Sequence, residues 1–373
     1  MSLSNYFTPV SGLIGGSLIG LSAGTLLVFN GDILGASGLV SSLVVAPKKT
    51  LTEPSDQWKL AFLAAFCLTT RLYVAMSDPD ALTDVSGLPI VSPLGYTIGG
   101  FFVGFGTKLG NGCTTGHGIC GLARLSTRSL AGVLAFMATG MLSATGCSPT
   151  CPFHEYLRES FESASKYIPT EFSDNIGKII TALAVGAAVP GFLRQAPGND
   201  ASEKEKADHD NNKRKIIPAI FSAAFFSLGL VISQMTISSK IVGFLNVKGL
   251  KDGTWDPTLV CVMGGGLVVS FLSYQWVKGF NVFKTKALEC PLSQKASGGH
   301  FSVPTNKIID SKLIIGEAMF GLGWGIASLC PGPAMVVGVA GYPNVLFRWW
   351  PSFFVGSFLA EKVKSFSVKV KSQ

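Results

Sequence analysis

Two Gly-rich strings hold the residues best suited to chemistry. The first runs Gly110, Asn111, Gly112, Cys113, Thr114, Thr115, Gly116, His117, Gly118, Ile119, Cys120 and Gly121. The second runs from Gly321 through Ser328, Leu329, Cys330, Pro331 and Gly332 to Pro333. Clustered glycines allow backbone that other residues forbid. Thr114 or Thr115 can cap a short helix, and Pro331 suits a first helical turn. Each cysteine then stands at a helix N-terminus, where free N–H groups and the dipole favour an anion. The candidate substrate-binding residues are therefore Cys113, Cys330, His117, Gly112, Thr114, Thr115 and Gly332. His117 follows Cys113 by four residues, on the same helical face; it either lines a pathway or makes a structural hydrogen bond. No metal site is expected, since no Cys-x-x-Cys pair or second nearby His accompanies these residues. The run is no P-loop either, because no Gly-Lys-Ser/Thr follows. No cofactor motif is present, and no catalytic residue is assigned. Cys67 and Cys120 read as small packing residues, and so does Cys261 on its residue type alone. Cys147 and Cys151 are either disulfide-bonded or free thiols.

The elements that position these strings are membrane helices. Charged residues make up 14% of the 373 residues, against roughly 25% in soluble proteins. There are 44 Gly and 26 Phe, and the mean hydropathy is +0.42. This composition argues against a soluble enzyme, a disordered chain, a coiled coil or a disulfide scaffold. Charge-free windows, extended where an arginine can snorkel, predict nine spans. They cover about 11–29, 58–76, 93–108, 129–147, 178–194, 216–233, 257–276, 312–328 and 343–360. Arg71 and Arg194 are expected at interfaces, as are Arg348, Trp349 and Trp350. The fold expected is all-α and integral to a lipid bilayer.

The net charge of +8 reports topology rather than nucleic-acid binding. With the N-terminus outside and the C-terminus cytoplasmic, 22 of the 30 Lys and Arg fall in cytoplasmic segments. The plasma membrane is the expected location.

Residues 31–42, 110–121, 236–247 and 328–341 are too short to cross and read as re-entrant or broken helices. A shift of 217 residues places Gly99, Gly104, Gly106 and Cys113 on Gly316, Gly321, Gly323 and Cys330. Five spans precede the second half, so the halves are expected to be inverted, with their interrupted helices meeting near the midplane. This divides the chain into a first repeat (1–147), an outer loop with linking helix and polar connector (148–215), and a second repeat (216–373). The charged stretch 197–215 is expected to be a solvated loop.

The string 110–126 resembles the YeeE/YedE sulfur-transport family, and residues 321–333 are similar to its second-half motif. Segments beginning at Lys240 and Trp255 are similar too. The resemblance implies uptake of thiosulfate or a related sulfur anion through an hourglass-shaped protein with cysteines at its waist. Cys113 and Cys330 carry this over, with Cys261 as the candidate for a third cysteine. A cytosolic sulfur-accepting protein is a candidate partner. The rival reading is a membrane-embedded sulfurtransferase or redox protein with Cys113 as nucleophile. A scaffold without chemistry would leave the paired cysteine turns unexplained.

Overall fold

The computed structural model describes residues 7–77, 82, 90–146, 154–159, 169–193, 196–279, 286–296 and 299–371. Cys147, Cys151 and Arg194 lie outside these residues.

The order is α1 (Pro9–Thr25), α2 (Ala36–Val45), α3 (Pro47–Thr52), α4 (Gln57–Met76), α5 (Pro93–Gly110), the π-helical segment Thr114–Gly121, and α6 (Thr127–Gly146). Then follow α7 (His154–Leu157), α8 (Glu171–Leu193), α9 (Glu203–Ile232), α10 (Ser238–Leu245) and α11 (Gly249–Asp252). The last four are α12 (Thr258–Lys278), α13 (Ser311–Ala327), α14 (Pro331–Val339) and α15 (Trp350–Lys371). A two-residue antiparallel pairing joins Ile90–Val91 to Arg158–Glu159. Local chemistry sets several starts: Pro9 opens α1, Ser92 caps α5 through Gly95 N, and Asp310 caps α13 through Leu313 N.

Among the described residues, seven helical stretches are long and apolar enough to cross a membrane. Each of the nine expected spans overlaps a helix among the described residues, although Pro93–Gly110 and Trp350–Lys371 are not among the seven. The four short segments become α2, the 114–121 segment, α10 and α14.

Small residues let the helices meet backbone to backbone. α5 and α13 run antiparallel, with Gly99 on Gly323 and Gly106 on Gly316. α1 and α9 are also antiparallel, joined by a 2.8 Å bond between the Ser22 and Ser222 hydroxyls. α5 lies parallel to α15 through Gly100–Trp349 and Gly104–Phe353, and α13 parallel to α6 through Gly321–Phe136 and Gly325–Gly140. Likewise α1 lies along α12, and α9 along α4, where Thr70 meets Ser227 at 2.9 Å.

Two expectations change. The connector is not a loop: α9 begins at Glu203, because Ser202 and Glu205 form a reciprocal capping box and Asn211, Asn212 and Lys215 are buried. Trp349 is not at an interface but fully buried, stacked on Phe353. The Arg71 guanidinium pairs with Asp174 at 2.6 Å and ties α8 to α4.

Candidate functional site

The two cysteine turns share one backbone construction. α5 ends in Asn111 at φ 70°, and α13 ends in Ser328 at φ 55°, 217 residues later. Both are left-handed, a conformation that short polar residues tolerate better than branched ones. Two residues on, Cys113 and Cys330 are extended and occupy the N-cap positions of the 114–121 segment and α14. The expected threonine cap is thus a cysteine cap, and neither thiol makes a capping bond. Each turn is held from outside by a cation. Lys364 donates to the Lys108 carbonyl and to Asn111 Oδ1 (3.3 Å). Arg158 donates to the Gly325 carbonyl (3.2 Å) and to Ser328 Oγ (3.4 Å).

The turns meet where Thr114 Oγ1 donates to Cys330 Sγ at 3.5 Å. Cys113 is only 1% exposed, and Cys330 is half-buried.

Two cavities abut this contact. One, about 290 Å³, is lined by Cys113, Gly116 and His117, with Lys108 and Arg124 as its cations. The other, about 230 Å³, is lined by Thr114, Thr115 and Cys330 and by Met137, Met235 and Met263. The Cys113–Thr114 step therefore divides a basic cavity from an apolar, sulfur-rich one.

The structure brings Cys113, Cys330, His117, Gly112, Thr114, Thr115 and Gly332 together. Cys261 is not brought to either cavity; it lies on α12 against Gly12 of α1. Cys120 is buried against the Leu34 carbonyl, a packing position.

The sequence reading passes over Glu317. Its carboxylate is fully buried on α13, with Oε1 3.4 Å from His117 Nε2. His117 Nδ1 lies 3.0 Å from Ser129 Oγ, which accepts a further bond from Arg124 at 3.4 Å. The available signal was an acid inside an apolar run, which usually marks function in a membrane helix.

Residues 81–142 match the family described as Sulphur transport, and residues 214–367 match a family of unknown function (DUF6691). A protein of Xylella fastidiosa (strain Temecula1) named "Probable transporter" is 35% identical over 144 residues, covering 38% of this chain and 96% of the relative. A second of that name from the same strain is 34% identical over 128 residues, covering 34% of this chain and 76% of the relative.

Proposed function

The chain belongs to the YeeE/YedE sulphur-transport family and is an integral membrane transporter, and we propose that it takes up thiosulfate or a closely related inorganic sulfur anion through the Cys113–Cys330 constriction. The observation that carries this reading is the Thr114–Cys330 contact, which draws two matched cysteine turns into one wall between two cavities.

Thiosulfate is a dianion with one soft sulfur. Two helix N-termini offset its charge, while neutral thiols offer weak donors to its sulfur and oxygens. Weak successive contacts let an ion leave as readily as it binds, as conduction requires.

In this reading the transporter crosses the membrane nine times as two inverted repeats, 1–147 and 216–373, with 148–215 between them. Support comes from packing: α5 stands to α15 as α13 stands to α6, and α1 to α12 as α9 to α4. The near-full length of one relative is matched by 144 residues, the size of one such half. An N-terminus outside follows from the charge bias, the plasma membrane is the proposed location, and a cytosolic protein would accept the sulfur.

The test is labelled thiosulfate uptake into proteoliposomes, measured beside chemical turnover of the same ion. Accumulation of intact thiosulfate is expected. Turnover without accumulation would replace transport with a Cys113 sulfurtransferase.

A further inference from the structure

We propose that His117 and Glu317 form a proton-binding site that loads one proton with each sulfur dianion, making the transporter a proton symporter. This rests on the transport reading above.

The pair is built as a site. Glu317 has no exposed surface, and among the described residues neither carboxylate oxygen has a hydrogen-bond partner; Oε1 lies 3.4 Å from His117 Nε2. Three glycines cradle the two side chains. A Cβ on Gly110 would press on the Glu317 carboxylate, one on Gly112 would strike the His117 ring, and one on Gly132 would crowd Glu317 and touch His117. No packing need explains a carboxylate there, since an apolar side chain would fill the same space without desolvating a charge.

An ionised Glu317 facing a neutral imidazole would be an uncompensated buried charge, so the pair holds at least one titratable proton and is then neutral overall. Ser129 suits either state of the ring. Its hydroxyl can donate to an unprotonated Nδ1 or accept from a protonated one, while Arg124 only donates to it.

His117 also lines the basic cavity and donates its backbone N–H to the Cys113 carbonyl at 2.8 Å. A dianion at the Cys113 turn therefore lies beside the pair. Its field favours a second proton, taken from cavity water onto the Nε2–carboxylate contact, which leaves the pair with one positive charge. The proton returns to water when the ion is released, and by linkage each raises the affinity for the other.

The surrounding charges leave this role to the pair. Arg128 of α6 is engaged by Asp310, while Lys108 of α5 is engaged by Glu361 of α15. Arg124 is bonded to the Pro304 carbonyl, and Lys364 of α15 to the Lys108 carbonyl.

The experiment uses full-length protein in vesicles containing a pH-sensitive dye, with thiosulfate added outside. Native vesicles should acidify inside as thiosulfate enters, and the initial rate should rise towards tenfold per unit fall in external pH. Glu317→Gln should still bind thiosulfate, but with no acidification and a flat pH profile. If Glu317→Gln does not fold, His117→Gln carries the same comparison. Thiosulfate uptake by native protein without proton movement would overturn the proposal, as would acidification that persists in Glu317→Gln. Infrared titration of the native carboxylic-acid C=O band, identified by its loss in Glu317→Gln, is followed with and without thiosulfate. A band that responds to pH neither with nor without thiosulfate would overturn the proton site. A native protein that takes up no thiosulfate but titrates normally would instead refute the transport reading.

Discussion

Lys364 and Arg158 hold the two cysteine turns in the same way. The acceptors of Lys364, the Lys108 carbonyl and the Asn111 side chain, lie 217 residues before those of Arg158, the Gly325 carbonyl and the Ser328 side chain. Each cation sits at the C-terminal end of a long helix, where exposed carbonyls favour positive charge. The side-chain acceptors, Asn111 and Ser328, each stand two residues before a cysteine that faces an anion in the proposed mechanism.

Arg158→Met should loosen the Cys330 turn. Hydrogen bonds from a charged donor contribute about 1.5–3 kcal/mol, so uptake should fall by roughly tenfold or more and thermal stability should drop. Arg158→Lys should recover part of both, because an ammonium already serves at the matched turn. Equal melting curves and rates for Arg158→Met and native protein would show that the turn holds itself.

Lys364 lies beyond the last expected span, and burial, with Lys108 close by, pushes its ammonium down to about 8 from 10.5. Between these values the unfolded chain binds a proton that the folded protein has released. Stability from this group is therefore fully present above 10.5 and is lost as pH falls through 8. Native protein should gain on Lys364→Met across that window, by at most about 1.4 kcal/mol per pH unit. Thermal unfolding of both proteins in detergent measures it, and a pH-independent gap would contradict the assigned burial.

Cys113→Ala and Cys330→Ala should each abolish thiosulfate uptake while leaving the protein inserted, and Cys67→Ala should be mild. Cys113→Ser and Cys330→Ser keep a donor but shorten and harden it, so they should also lose thiosulfate uptake. On native protein, soft-sulfur analogues should compete with thiosulfate and sulfate should not. Equal competition by sulfate would remove the thiols from selectivity, since the two ions share charge and shape.

Gly106→Val should prevent α5 and α13 from closing. A Cβ there would lie 2.5 Å from the Gly316 carbonyl oxygen, a backbone atom that cannot turn aside. The variant should yield little monodisperse protein. Gly116→Ala, with open space around its Cβ position, is the control that should express normally.

A tag at the N-terminus should be accessible from outside, and tags at 200–212 and at the C-terminus from the cytosol. Protease protection in sealed cells reads this directly. Both termini on one side would end the inverted-repeat reading.

Much of this was legible in the residues. The turns carry Gly and Cys at a constant offset because backbone contacts and a helix start each demand a residue type, and type survives in a sequence. Lys364 and Arg158 leave no such trace: they reach matched acceptors from unmatched places in the chain, so only tertiary approach pairs them. Glu317 stands in plain view, but a search for charge-free windows ends the apolar run at Ala318 and passes over it. The 203–215 helix was signalled by Ser202 and Glu205, and its polarity disguised it as a loop. Trp349 follows an arginine and a proposed boundary, which mimics an interfacial belt; its burial depends on Phe353 one turn later.

The crossing of α5 and α13 sets where motion can occur. Gly99 on Gly323 and Gly106 on Gly316 place main chain against main chain, with no side chains between them to rotate or slide. Such a seam behaves as a fixed axle. Opening the wall between the cavities then falls to the short segments that hang from it, 114–121 and α14, and to the Thr114 hydroxyl between them. A rotamer change there moves only a few atoms, whereas rocking two packed halves takes microseconds or longer. The machine's moving part would be the latch and not the hinge.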